Sequence, residues 1–250
     1  MQKLSSIVAL NIRQGGGRRT SELIKWLREL NADIVVLSEW CNNLNGLAIE
    51  VALTSSGYHI HSQGGHVRSQ DGTASNGVLI AAREQFNAVP LTPPDAQAGV
   101  LLRAQWTGGL TVVGAYFPLR APAKKQFFDV CVKCAKQHSD APFLLIGDLN
   151  TGRNQGDLEA GGTPFPRAAD FVALCESGLI DQWRQQHQTT EPEYTWRSRQ
   201  KGFRIDHALA NKAFEDRYPH LICSYDHSTR ESKLSDHSAL ILRLASSKAN

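Results

Sequence analysis

No run of apolar residues in this sequence approaches the ~20 that crossing a bilayer takes, so no membrane span is expected. Charge of one sign is missing as well. The 27 lysines and arginines nearly balance 24 aspartates and glutamates, and the net charge of +3 suits a polyanionic partner without demanding one. Cysteine is scarce and odd in number, five in 250 residues, which argues against a disulfide framework and for a reducing compartment. The cytoplasm is the expected location. The apolar stretch near the N-terminus is too short for a secretory signal, and Arg13 interrupts it. Repeats, low-complexity tracts and shifts in composition are absent too. Residues 1–245 are accordingly expected to form one domain, with 246–250 as a frayed tail.

What is present is an ordinary globular composition, 41% hydrophobic and 20% charged, laid out as short apolar runs between turns. Residues 6–10 read as a strand ending at Asn11, and a glycine-rich basic stretch, 15–19, follows. Leu23, Trp26, Leu27 and Leu30 then recur at helical spacing, which predicts a helix over 20–30 capped by Thr20 or Ser21. Residues 34–37 form a second strand, near whose end stands Glu39. Strands are predicted over 77–81, 100–104, 110–114, 143–146, 203–205 and 239–242, and helices over 123–138 and 165–177. Strands outnumber helices and several follow one another directly. That predicts a layered α/β protein with mixed sheets, not a regular βαβ alternation.

The acids fall at particular places in this order. Asn11, Glu39, Asp148, Asp206 and Asp236 each lie at or just beyond the end of an apolar strand, or beside a strand's start. Burying an unpaired carboxylate is costly, so packing alone seldom puts acids there. Oxygen ligands gathered at one sheet edge would suit a hard cation such as Mg²⁺. Ser235-Asp236-His237 sets an imidazole beside a carboxylate, and Ile205-Asp206-His207 offers the carboxylate that would fix the tautomer of His237. Cys131 and Cys134 form a C-x-x-C inside a predicted helix with no second pair nearby, which reads as packing before redox or zinc chemistry. His59, His61 and His66 sit in a predicted loop without a neighbouring acid or cysteine and are not expected to bind metal; His207 reads as structural.

These segments resemble the endonuclease/exonuclease/phosphatase superfamily, in its order: Leu10-Asn11-Ile12, Leu37-Ser38-Glu39, Gly147-Asp148-Leu149-Asn150, Arg204-Ile205-Asp206 and Ser235-Asp236-His237. The likeness is greater to the exonuclease III and abasic-site endonuclease branch. Gly114-Ala115-Tyr116-Phe117-Pro118 looks like that branch's tyrosine motif, and Ser177 to Asp181, Tyr194 to Ser198 and Lys201 to Asp206 are similar to its C-terminal third. The resemblance implies a four-layer αββα sandwich, two mixed sheets face to face with helices outside. It implies a Mg²⁺-dependent nuclease, with Mn²⁺ as a substitute, acting on DNA as a monomer and capable of abasic-site or 3′-end processing. Glu39 would bind the metal, with Asn11 and Asp236 at its shell. Asp148 would orient or deprotonate the attacking water and Asn150 would hold that water or a phosphate oxygen. His237, oriented by Asp206, would act as general base or as electrophilic partner of the phosphate, and Tyr116 would contact the scissile phosphate.

Arg13, Lys124 and Trp196 are the candidate substrate contacts: the two cations on the phosphate backbone, the indole as a wall or wedge for an extruded sugar. Arg18, Arg19 and Lys125 extend the basic set. The sequence departs from the branch at one of these places, Arg13, and at Leu119. Arg13 stands where such nucleases carry Asn or Asp, trading a metal contact for a phosphate contact, and Leu119 replaces a polar residue. The same fold hosts phosphodiesterases and phosphatases of RNA, nucleotides and small molecules. A catalytically inactive nucleic-acid-binding module is the remaining alternative.

Overall fold

The computed structural model describes residues 4–65, 75–93, 96, 98–187, 191–198 and 201–244, so His66 and the 246–250 tail lie outside the described residues. In chain order the elements are β1 (Ser6–Asn11), α1 (Thr20–Leu30), β2 (Ile34–Trp40), α2 (Leu44–Ser55), β3 (His59–Gly65), β4 (Ser75–Ala82), β5 (Asn87–Pro90), β6 (Val100–Gln105), β7 (Thr111–Tyr116), α3 (Ala121–Gln137) and β8 (Phe143–Asp148). There follow α4 (Ala168–Glu176), β9 (Ile180–Asp181), α5 (Gln182–Gln186), β10 (Trp196–Ser198), β11 (Lys201–Phe203), β12 (Asp206–Ala210), α6 (Lys212–Arg217), β13 (Leu221–Asp226), α7 (Ser228–Glu231) and β14 (Ala239–Leu244).

Two six-stranded sheets result, in the orders β13-β14-β1-β2-β4-β3 and β5-β6-β7-β8-β12-β9, with β10-β11 as a separate hairpin. Each sheet has one parallel pair at its centre, β1 with β2 and β7 with β8, and every other pairing is antiparallel. A parallel pair needs a crossover, and α1 and α3 supply the two.

Alternation along the strands builds the layers. Ile7, Ala9 and Val36 meet Leu102, Val112, Leu144 and Ile146 in a core between the sheets. The intervening Val8, Leu10, Val35 and Leu37 face Leu23 and Leu27 of α1 and Ile49 and Leu53 of α2. On the opposite flank Val113, Phe143 and Leu145 face Phe127 and Cys131 of α3 and Phe171 and Leu174 of α4. This is the expected αββα sandwich. Gly114 leaves no room for a side chain between the sheets: an added Cβ would come 3.0 Å from both Val36 and Val78. Overpacking of that kind costs roughly 1–3 kcal/mol.

Local details differ from the sequence reading. No side chain caps α1; a 3₁₀ turn over Gly17–Arg19 leads straight into it, and the Thr20 hydroxyl donates to the Gly17 carbonyl at 2.7 Å. Residues 203–205 are not one strand: Phe203 ends β11, Asp206 opens β12, and Arg204 and Ile205 link them. His59 and His61 lie on strand β3, not in a loop, and the His61 ring rests 5.0 Å from that of Phe86. Cys131 and Cys134 point into the core as free thiols, with burial pushing Cys131 well up from its ordinary value and raising Cys134 also. Neither is a ready thiolate.

Candidate active site

The parallel pairs place the site. Their C-terminal ends carry Asn11 and Glu39 from one sheet and Tyr116 and Asp148 from the other. The antiparallel neighbours deliver their first residues to the same edge. Asp206 opens β12 directly opposite Asp148, and the residues before β14 arrive beside the end of β1, where the Ser235 hydroxyl donates to the Asn11 carbonyl. Strand ends and their loops are where ligands bind in layered α/β proteins.

Glu39 reaches the site through a bulge. The register of β2 against β4 shifts between Ser38 and Trp40, and Glu39 holds φ 58°, a left-handed conformation unfavourable for a residue with a side chain. Asn11 ties it to the other sheet: its Nδ2 donates to Glu39 Oε1 at 3.1 Å and to Asp148 Oδ2 at 2.9 Å. The Asn11 Oδ1 accepts from the Arg13 N–H at 2.8 Å, so Asn11 spends its groups on aligning two carboxylates. Asn150, also left-handed at φ 49°, donates its backbone N–H to Asp148 Oδ1 at 2.8 Å and its Nδ2 to the Phe117 carbonyl at 2.9 Å.

Behind Asp148 lies the imidazole. His237 Nδ1 is 2.8 Å from Asp206 Oδ2, both side chains are buried, and Asp148, Asp206 and His237 present polar atoms within 4.8 Å of one another. Burial opposes the charge on His237, but Asp206, Asp148 and Asp236 outweigh it and raise its pKa to about 9. Burial and Asp206 push Asp148 the same way, to about 7, against the pull of His237, Asn11 and Asn150. Two carboxylates facing each other across a strand pair destabilise the sheet. A hard cation fits this donor set, because the surplus negative charge and the oxygens of Glu39 and Asp148, aligned by Asn11, are what such an ion relieves and binds.

The other sequence candidates take outlying places. Tyr116 is buried and its hydroxyl accepts from Asn76 Nδ2 at 3.3 Å. Asp236 stands at the rim, its side chain 39% exposed and its Oδ2 3.7 Å from Arg13 Nε. Lys124 is not on the surface where a phosphate contact was expected: it is buried in α3, and its ammonium donates to the Asn150 carbonyl at 2.6 Å. Burial lowers its pKa to about 8 against the opposing effect of Asp148. Trp196 is half-buried beside the site, bridged to His237 through the backbone with the rings 6.4 Å apart. Leu119 is 70% exposed.

Three supports have no role in the sequence reading. Ser235 Oγ accepts the His237 N–H at 3.1 Å, Thr195 Oγ1 accepts the Asp206 N–H at 3.3 Å, and the Tyr225 hydroxyl donates to the Asp206 carbonyl at 2.7 Å. Ser235 and Thr195 each stand one residue from an assigned position, Asp236 and Trp196. Nothing in the sequence near Tyr225 signals its contact.

Comparison with solved structures shows the same architecture. An AP endonuclease from Archaeoglobus fulgidus superposes with a TM-score of 0.77 at 20% identity, covering 96% of this chain and 99% of that one. The 3′ phosphatase NExo from Neisseria, bound to a product DNA hairpin, gives the same TM-score and coverages at 22% identity. The endonuclease domain of a telomere-specific non-LTR retrotransposon gives 0.62 at 14% identity, covering 98% of this chain and all of that one. Comparison with the curated proteins found no match. The sequence profile of the Endonuclease/Exonuclease/phosphatase family matches residues 8–237, and with the sandwich and its edge cluster in place the chain belongs to that family.

Proposed function

We propose that this protein is a divalent-metal-dependent phosphodiesterase acting on DNA, in the manner of the exonuclease III branch, with abasic sites or 3′ ends as its targets. The observation that carries the reading is the buried Asp206–His237 pair, 2.8 Å apart, set against Asp148 and Asn150 at one sheet edge. An AP endonuclease and a DNA-bound 3′ phosphatase with this architecture support DNA as the substrate.

Glu39, aligned by Asn11, would hold Mg²⁺ or Mn²⁺ with Asp148 beside it and Asp236 at the rim. A cation bound there would offset the charge that develops on the phosphate oxygens. The protein's own groups divide the proton work. His237 turns Nδ1 to Asp206, which leaves Nε2 for the phosphate. Raised to about 9, the imidazole stays charged at neutral pH and serves as hydrogen-bond donor to a phosphate oxygen. Asp148 would take a proton from the attacking water, and Asn150, whose N–H lies 2.8 Å from Asp148 Oδ1, would hold the carboxylate in line. Tyr116 would meet the phosphate from the second sheet, and Arg13 would bind the strand at the rim.

The test is a substrate panel with Mg²⁺, with Mn²⁺ and after chelation: duplex with an abasic site, duplex with a 3′ phosphate, plasmid DNA, RNA and a nitrophenyl phosphodiester. Metal-dependent cleavage of the abasic or 3′-blocked duplex is the expected result. A folded protein inert on every substrate, or one hydrolysing only the small ester or RNA, would overturn the reading.

A further inference from the structure

Residues 13–17 form an unusual turn. Arg13, Gln14, Gly15, Gly16 and Gly17 have φ values of 54, 52, 71, 81 and 53°, five left-handed residues in succession. The three glycines take this conformation without steric cost, whereas Arg13 and Gln14 are strained by it. The turn converges successive N–H groups on the site. Arg13 N–H donates to Asn11 Oδ1 at 2.8 Å, Gln14 N–H to Glu39 Oε2 at 2.7 Å and Gly15 N–H to the Glu39 carbonyl at 2.8 Å. Glu39 therefore owes its direction to a backbone shape that would relax if nothing restrained it.

Besides its backbone bonds and the Thr20 hydroxyl on the Gly17 carbonyl, a single long side chain clamps the turn to the rest of the site. Arg19 Nη2 donates to the Arg13 carbonyl at 2.8 Å and reaches the Ile12 carbonyl at 3.5 Å, while its Nη1 donates to the Leu234 carbonyl at 3.1 Å. Leu234 immediately precedes Ser235-Asp236-His237. A planar fork can span two carbonyls in this way, and a lysine ammonium on its flexible stem cannot fix both. We propose that Arg19 is a positioning residue: by stapling the left-handed turn to the segment that bears His237, it sets the orientation of Glu39 and Asn11. It touches no reacting atom. Its consequence for cation binding rests on the metal-dependent reading of the site; the staple itself does not.

The test compares the full-length protein with Arg19→Met and Arg19→Lys by amide hydrogen exchange and by binding of Mn²⁺, followed through the resonance of the free ion. In Arg19→Met the amides of residues 13–15 are expected to lose tenfold or more of their protection while β1 and β14 keep theirs. Mn²⁺ binding is expected to weaken by tenfold or more. Arg19→Lys should stay impaired in both. Unchanged exchange at residues 13–15 would overturn the proposal, and so would a loss spread evenly through β1 and β14, since that would mark a merely structural residue. A wild-type protein that binds no Mn²⁺ would sink the metal-dependent reading alone, and the exchange at residues 13–15 would still decide the role of Arg19.

Discussion

Two buried clusters in this protein hold the same three side chains, two aspartates and a histidine, and they differ in what surrounds them. Asp148, Asp206 and His237 form one; Asp157, Asp181 and His207 form the other. Adjacent residues of β12 feed both, Asp206 to the first and His207 to the second. In the second cluster arginines occupy the carboxylates. Arg204, fully buried, donates to Asp157 Oδ1 at 2.8 Å and to Asp181 Oδ2 at 2.6 Å, Arg184 also binds Asp157, and Arg153 also binds Asp181. Burial would raise Asp181, yet Arg204 and His207 hold it well below the usual carboxylate range. The first cluster has no guanidinium on its carboxylates among the described residues, and Asp148 rises to about 7. One trio is neutralised and anchors the fold, tying the loop after β8 to β9 and β12. The other keeps a surplus of negative charge that a cation would relieve. A histidine between two acids is therefore no signature by itself; its counter-charges decide what it does.

The contrast can be broken from either side. The largest expected effect is on rate: Asp148→Asn or His237→Ala should each lower kcat by roughly 10²–10⁴, the usual contribution of a positioned acid or base. The melting temperature should change little in Asp148→Asn and fall in His237→Ala, which leaves Asp206 buried without its partner. Retention of full activity in either variant would remove these side chains from the mechanism. The complementary change, Arg204→Met, should act on stability, since stripping one partner from a buried ion pair costs about 3–5 kcal/mol, or on the order of 10 °C in Tm. An unchanged melting curve would mean that the arginine cluster is not the anchor described. The smallest effect is in titration. In metal-free protein the His237 imidazole, raised to about 9, should remain charged through neutral pH, and Asp206→Asn should bring its titration down. Because the folded value lies above the ordinary 6.5, the stabilisation is complete below about pH 6.5 and is lost as pH rises through about 9. Imidazole resonances followed across that range decide it; titration at the ordinary value would remove the Asp206 contact from the account.

Much of this was legible in the sequence because strand cores and site residues share one signal, an apolar run followed by an acid or amide. Asn11, Asp148 and Asp206 stand at strand termini where that signal places them. The elements that escaped are the ones without an apolar run. Strand β3 is polar and glycine-bearing, His59 to Gly65, and β13 alternates across an exposed edge with Ile222 half out in solvent. Helix α2 is apolar on its outer face too, with Leu44, Leu47 and Val51 exposed, so no single stripe marks it. Lys124 illustrates a different limit. Its position at the start of α3 was plain, but only tertiary packing sends its ammonium inward to the Asn150 carbonyl. The arginine cluster was invisible for the same reason, since its members come from the loop after β8, β9, α5, the link between β11 and β12, and β12 itself.

The pairing of β1 with β14 also has a consequence in time. Asn11 and Ser235 touch although 224 residues separate them, and His237 comes into place only when Ala239–Leu244 lies along Ser6–Asn11. During synthesis Glu39 and Asp148 leave the ribosome long before the imidazole does. Until it does, the acids of the site stand without the imidazole. Catalysis of the proposed kind would wait on the pairing of β14 with β1, so activity would report that pairing.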